Sequence, residues 1–566
     1  MLALILISTA LAGAPLEGTW RAVRHFGPDV RGPLEVARGP EGAWRAQIAG
    51  FDVAAAAKDG RISFALPQHQ GRFDGRLGSR IRGHWFQPVG RTDGSEYASP
   101  VALEPRGKDR WRGEVVPYDD DFTLYLFISR KPDGTLTAWL RNPDRNLGLQ
   151  WADLERVEVA GASVRLLGKG GRAIAEGTFH PDEPRLTLDL PNRGGAYDFL
   201  PAPEGYVARS PEPWTYRPPP AEDDGWKVGR LEEVGLSVEP LKELVQKLSE
   251  PQSSVHDLDV HGLLIARHGK LVFEEYLHGY GRDLPHDTRS AAKAATAVLV
   301  GAAMQSGVKL SLDTRIYDLL QADTGGDDRK KAMTVEHLLT MSPGYDCNDW
   351  VEPLRPGSEE RLLNEMPPDL DWYKFTLALP LEGAPGSFSA YCSINPHLLG
   401  AVLAKASGRP VLDLFQDLVA EPLGLRRYHI GIQRIGAPFL GGSVKFLPRD
   451  FMKLGQMELD GGVWNGRRVL SAEFAKQVGT VHTTLRGMKP DTHYGYLWWT
   501  ITLPYRGRTV EGFFASGNGG QTVVVIRELD MVVATWGGNY ADRAGWTMVR
   551  ENLPKYVLAA VKDPAR

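Results

Sequence analysis

Between about residue 17 and residue 200 apolar and polar positions alternate with a period of two. Phe122-Thr123-Leu124-Tyr125-Leu126-Phe127-Ile128 and Leu186-Thr187-Leu188-Asp189-Leu190 are the clearest runs, and such alternation predicts strands with one buried face. Asp59-Gly60 and Asp133-Gly134 sit between short runs, where hairpin turns are expected. Many short strands with no long helical segment predict an all-β barrel or sandwich over 17–200. Gly-x-Trp recurs at Gly18-Thr19-Trp20, Gly42-Ala43-Trp44 and Gly83-His84-Trp85; core tryptophans are expected there before a sugar-stacking surface. Nothing in this region assigns it a function.

The pattern breaks at 201–225, a proline-rich stretch ending in Pro218-Pro219-Pro220 and Ala221-Glu222-Asp223-Asp224-Gly225. That composition predicts an extended, semi-rigid spacer and a domain boundary. Beyond it a period of 3.6 appears: Leu241, Leu244, Val245 and Leu248 fall on one face of a helix. Two strand-like runs flank His268-Gly269 as a hairpin, helical segments dominate to about residue 475, and strands return at Thr522–Ile526 and Met531–Thr535. Strands at both ends with helices between predict an α+β domain over 226–560, with an antiparallel sheet built from both ends and helices packed on it.

A chain of 566 residues, 42% hydrophobic and 24% charged, has room for two or three such domains. Its net charge of -4, with no basic stripe interleaved with aromatics, argues against a nucleic-acid partner. Met1–Gly13 is an apolar run too short to span a bilayer, with Ala10-Leu11-Ala12 as a small-x-small cleavage site. It reads as a signal peptide of about 12 residues, predicting a periplasmic or secreted protein, although the positive n-region is missing. No other run is long enough for a transmembrane helix. The only cysteines, Cys347 and Cys392, lack zinc-ligand spacing and are read either as a disulfide pair or as two buried thiols.

The candidate chemistry begins at Arg289-Ser290-Ala291-Ala292-Lys293, which opens an Ala-rich helix. Residues i and i+3 share a helix face, so Lys293 can hold or accept the Ser290 proton. Ser306 and Lys309 repeat the spacing, but Ser306 precedes Gly307 at the end of the apolar run and reads as a helix stop. Ser290 stands at the helix start, where backbone N–H groups favour a developing oxyanion; its plain alternative is an N-cap. Tyr391, in a turn-rich segment before a second helix, is a candidate second base beside a lysine cation. Ser516-Gly517-Asn518-Gly519-Gly520 precedes a strand, and its glycines let backbone approach a ligand closely, so an N–H there is a candidate second oxyanion donor. No Gly-x-Ser-x-Gly elbow, His-Glu-x-x-His or phosphate-binding loop is present, and no metal or organic cofactor is implied.

Together these residues resemble the serine β-lactamase and penicillin-binding protein family, in its class C and esterase-like branch. Its ordered motifs correspond to Ser290 with Lys293, Tyr391 with Ser393, and Ser516-Gly517-Asn518, over roughly residues 225 to 560. The resemblance implies a serine hydrolase working through an acyl-enzyme on Ser290. Lys293 and Tyr391 would share the proton, the N–H groups of Ser290 and Asn518 would bind the oxyanion, and Ser516, Gly517 and Ser393 would line the substrate site. Ser393 stands where the family often has Asn, and no lysine occupies the third motif, where the family grips a substrate carboxylate. A small neutral ester or amide is therefore expected as substrate before a penicillin. Two alternatives stay open: a non-catalytic ligand-binding member of the fold, and a true β-lactamase or D-Ala peptidase.

Overall fold

The computed structural model describes residues 15–562 apart from 92–93, 145–152, 191–193, 210–211, 360, 363–366, 368–369, 434 and 489–491. The leader-like run Met1–Gly13 lies outside the described residues. Among the described residues no helix is long and apolar enough to cross a membrane.

The alternating region folds into two β units, one inserted in the other. Strand Gly18–His25 pairs with Asp121–Arg130 and, at its other edge, with Gly195–Pro201. The chain between the first two of these, from Gly32–Arg38 to Arg110–Val115, runs as an antiparallel meander whose first and last strands pair, Gly32 opposite Val115. Closure removes both edges and makes a barrel. Its interior is filled by side chains including Val36, Ile62, Phe73, Trp85 and Leu103, while the enclosing unit has its own core around Trp20, Phe122, Leu126 and Phe199. Of the recurring tryptophans, Trp20 and Trp85 are core, and Trp44 is half-buried beside Trp111 at 5.5 Å.

The segment 201–225 is largely irregular, but it is packed and not a free spacer. Its aromatic side chains give it handles that proline alone lacks. Trp214 Nε1 donates to Glu275 at 2.6 Å, the Tyr216 hydroxyl to the Val272 carbonyl at 2.8 Å, and Arg449 to the Pro220 carbonyl at 3.0 Å.

Beyond it lies the α+β domain. Strand Val260–Arg267 pairs antiparallel with Lys270–Tyr276 on one side and Met531–Gly537 on the other, Leu264 opposite Ala534. Gln521–Ile526, Arg508–Gly517 and Trp499–Tyr505 continue the sheet outward from Met531–Gly537. Both ends of the domain thus build one sheet. Helix Val238–Leu248 buries Leu241, Leu244, Val245 and Leu248, the stripe its spacing predicts. Helix Lys293–Gln305 is instead buried all round from Lys293 to Ala303, as a helix without a polar face must be. The two regions are continuous: strand Tyr428–Ile432 extends the barrel sheet, Ile430 opposite Ala98.

Candidate active site

Ser290 lies in the 3-10 turn Arg289–Ala292 that leads into helix Lys293–Gln305. One turn on, Lys293 is 1% exposed, and its Nζ donates to Ser290 Oγ at 2.9 Å and to the Gly441 carbonyl at 2.5 Å. The turn is held in a costly backbone state. Arg289, just before the serine, has φ +48°, a left-handed conformation that L-residues adopt only where their surroundings impose it. Here Asp287 imposes it, accepting from the Arg289 N–H at 2.8 Å and pairing with its guanidinium at 3.2 Å. Burial alone would raise the Asp287 carboxyl, but Arg289 and Lys445, the latter 2.6 Å away, hold it well below the usual carboxylate range.

Tyr391 is buried, with Lys293 Nζ 4.9 Å from its ring centroid. On the sheet side, Ser516 and Gly517 end strand Arg508–Gly517, opposite Thr522 and Gln521. A Cβ on Gly517 would lie 2.2 Å from the Thr288 carbonyl and 3.0 Å from the Ala291 N–H. Only glycine lets the sheet edge come this close to the serine turn. Asn518 is exposed, and its side-chain Oδ1 accepts from the Ala541 N–H at 2.7 Å.

Ser290, Tyr391, Ser516, Gly517 and Asn518 line one cleft of about 470 Å³. Ser393 does not join them. It is fully buried beneath two acids: its N–H donates to Asp349 at 2.6 Å and its hydroxyl to Glu359 at 2.7 Å. Expected at the substrate, Ser393 instead supports the carboxyls that reach the cleft. Its place at the N-terminus of helix Ile394–Ser407 points it inward.

Asp349 and Glu359 both line the cleft, and the Glu359 N–H donates to Asp349 at 2.8 Å. Burial first, and then the neighbouring Glu359, push the Asp349 carboxyl up to about 6. Cys347 and Cys392 form a disulfide, with Cα atoms 6.0 Å apart. It ties the loop bearing Asp349 to the segment bearing Tyr391, and the Asp349 N–H donates to the Tyr391 carbonyl at 2.9 Å. Trp350, Trp499 and Trp546 complete the wall. Reading the sequence for motifs misses the acids and the tryptophans at the site. The one available signal was the placing of Cys392 directly after Tyr391, which ties whatever surrounds Cys347 to the candidate base.

A part-buried Ser–Lys pair at the end of a strand of an antiparallel sheet, with a tyrosine against the lysine in the same cleft, defines the class. The chain belongs to the beta-lactamase family, whose model matches residues 245–552, more than half of its length. It is 26% identical over 246 residues to the 6-aminohexanoate-dimer hydrolase of Paenarthrobacter ureafaciens, covering 42% of this chain and 62% of that protein. It is 30% identical over 178 residues to the esterase EstB of Burkholderia gladioli, covering 29% and 45%. The chain thus spans less than two thirds of either relative. Among solved structures, the penicillin binding protein from Bacillus halodurans superposes with a TM-score of 0.41 at 17% identity, over 51% of this chain and 95% of that one.

Proposed function

We propose that the protein is a serine hydrolase that cleaves an ester or amide through an acyl-enzyme on Ser290. The observation that carries this reading is the 2.9 Å contact between Lys293 Nζ and Ser290 Oγ, in a cleft that Tyr391 lines. Ser290 Oγ attacks the carbonyl carbon as its proton passes to the Lys293–Tyr391 pair. The oxyanion of the tetrahedral intermediate is held by the backbone N–H groups of Ser290 and Asn518, one at a helix start and one at the sheet edge. The same proton goes to the departing alcohol or amine as the carbonyl re-forms. Water then attacks the acyl-enzyme, giving its proton to the same pair, and Ser290 is restored as the acid leaves.

Names of the relatives, one a dimer hydrolase and one an esterase, agree with this class of reaction. The third motif, Ser516-Gly517-Asn518, carries no lysine, so it offers no cation to a penicillin carboxylate. An ester or amide is the better fit. Ser290→Ala should abolish hydrolysis of a p-nitrophenyl ester and labelling by an activated phosphonate, with the fold intact by circular dichroism. Survival of either activity would defeat the assignment.

A further inference from the structure

Four aromatic rings in the cleft form a closed circuit. Tyr391 stacks on Trp499 at 5.3 Å, Trp499 meets Trp546 edge-on at 6.2 Å, Trp546 meets Trp350 at 6.2 Å, and Trp350 returns to Tyr391 at 6.5 Å. All four rings line the same cleft as Ser290. Tyr391 is already stacked by Trp499 and capped by Lys293, so Trp350 and Trp546 are the rings that offer faces to a cation in the cleft. The same lining carries the carboxyls of Asp349 and Glu359. Aromatic faces and carboxylates have one ligand chemistry in common, which is a positive charge of modest hydration.

The Asp349 and Glu359 contacts have a definite direction. Their oxygens accept from the Ser393 N–H, the Ser393 hydroxyl and the Glu359 N–H. These donors fix the carboxyls in place without supplying a formal charge. Lys293 is a nearby cation, and it lies over the Tyr391 ring and on Ser290. Two like carboxyls held side by side at a cleft gain most from a cation that arrives from the cleft itself. Of the other charged side chains in the lining, Asp542 is paired with His256, and Arg543 is exposed. Trp350 and Leu354, which are 49% and 71% exposed, add apolar surface on the loop between the two acids. An ammonium on an apolar stem would match both surfaces.

We infer that Asp349, Glu359 and the cleft-lining rings of Trp350 and Trp546 form a subsite for an ammonium group. The preferred substrates are then esters or amides that carry an amine as well as the scissile bond. This rests on the hydrolase reading above and names the substrate class of the same site. It concerns specificity and leaves the acyl-enzyme chemistry unchanged.

The test uses the full chain and two isosteric pairs of esters. In one pair the acyl chain ends in an ammonium or in a methyl group; in the other the alcohol portion does. The expected result is that kcat/KM favours the ammonium member of at least one pair by about tenfold or more. In Glu359→Gln and in Asp349→Asn that ratio should collapse to within about threefold. The ratio is read within each variant, so a general loss of rate does not obscure it. Absence of any preference in the unaltered protein overturns the inference, as does a preference that survives in both variants. Tetramethylammonium, tested as a competitive inhibitor of the unaltered protein against neopentyl alcohol, gives a readout that needs no variant; equal inhibition by the two also overturns it. Phosphonate labelling of Ser290 keeps the questions apart: labelling without an ammonium preference rejects the subsite alone, and no labelling rejects the hydrolase reading itself.

Discussion

Burial strips water from the Asp349 carboxylate, and Glu359 beside it adds repulsion once both are ionised. Asp349 therefore binds its proton more tightly in the folded protein than in the unfolded chain. That proton contributes stability in full below the unfolded carboxyl pKa of about 4, and the contribution fades as pH rises through about 6. Because the two groups share the site, the step belongs to the pair. Allowing for partial solvent access, its size is about 1–3 kcal/mol. Glu359→Gln removes the repelling charge and keeps an oxygen for the Ser393 hydroxyl. The variant should gain stability relative to the parent as pH rises through about 6, read as diverging urea midpoints on the two sides of that pH. Parallel curves would show that the carboxyls do not interact. At this scale the sequence was half legible. Ser290 and Lys293 stood out because three-residue spacing at a helix start has a direct geometric meaning. Asp349 and Glu359 are two of 70 acidic residues with no spacing to mark them, and a disulfide and the Ser393 donors bring them to the cleft. Ser393 is expected at the substrate from the family resemblance, through its place two residues after Tyr391, which says nothing about where its side chain turns.

Gly517 shows how an element, and not a side chain, prepares the site. The end of strand Arg508–Gly517 rests on the backbone of the Arg289–Ala292 turn, and a Cβ there would meet the Thr288 carbonyl at 2.2 Å. Both contacting groups are main chain, so the strand and the turn must separate to admit a methyl group. Gly517→Ala should therefore move the Asn518 N–H away from the oxyanion and lower kcat by about 10²–10³-fold, with a smaller change in KM, since the loss falls on the transition state. Steady-state kinetics with the p-nitrophenyl ester decide it; an unchanged kcat would place the second donor elsewhere. The glycine-rich turn and its strand were legible because period-two alternation and glycine clusters are local signals. The nesting of one β unit within another was not. Alternation identifies strands but does not choose their partners, and the pairing of Gly32 with Val115 joins residues far apart in the chain. The proline-rich segment misled in the same way: its composition predicts its extended course, while the packing of Trp214 and Tyr216 depends on surfaces contributed from elsewhere.

Across the whole molecule the β units and the α+β domain share a buried ion pair. Arg141, on a strand of the enclosing β unit, donates to Asp259 at 2.8 Å, and the side chains are 2% and 0% exposed. Burial alone would raise the Asp259 carboxyl, but Arg141 above all, with His261, holds it well below the usual range. The backbone of Asp259 is engaged as well: its N–H donates to the Asn539 side chain at 2.7 Å, and the Asn539 N–H donates to the Gly519 carbonyl at 3.2 Å. Gly519 belongs to the turn that carries Asn518. His261 in turn contacts His286 at 2.8 Å, and His286 precedes the Asp287 that fixes Arg289. A residue of the β region thus neutralises a charge lying beneath both halves of the candidate oxyanion site. Arg141→Met would keep most of the side-chain volume and leave Asp259 charged without its arginine partner, which costs about 3–5 kcal/mol where one partner of a buried pair is removed. The expected outcome is a lower urea midpoint for the α+β domain together with a fall in kcat/KM, although Arg141 lies outside the candidate site's lining. Asp259→Asn made in the Arg141→Met background should restore part of the stability, because the uncompensated charge is then gone. If Arg141→Met lowers neither stability nor activity, the β region is only docked on the α+β domain; if it lowers both, the region is a structural part of the candidate site.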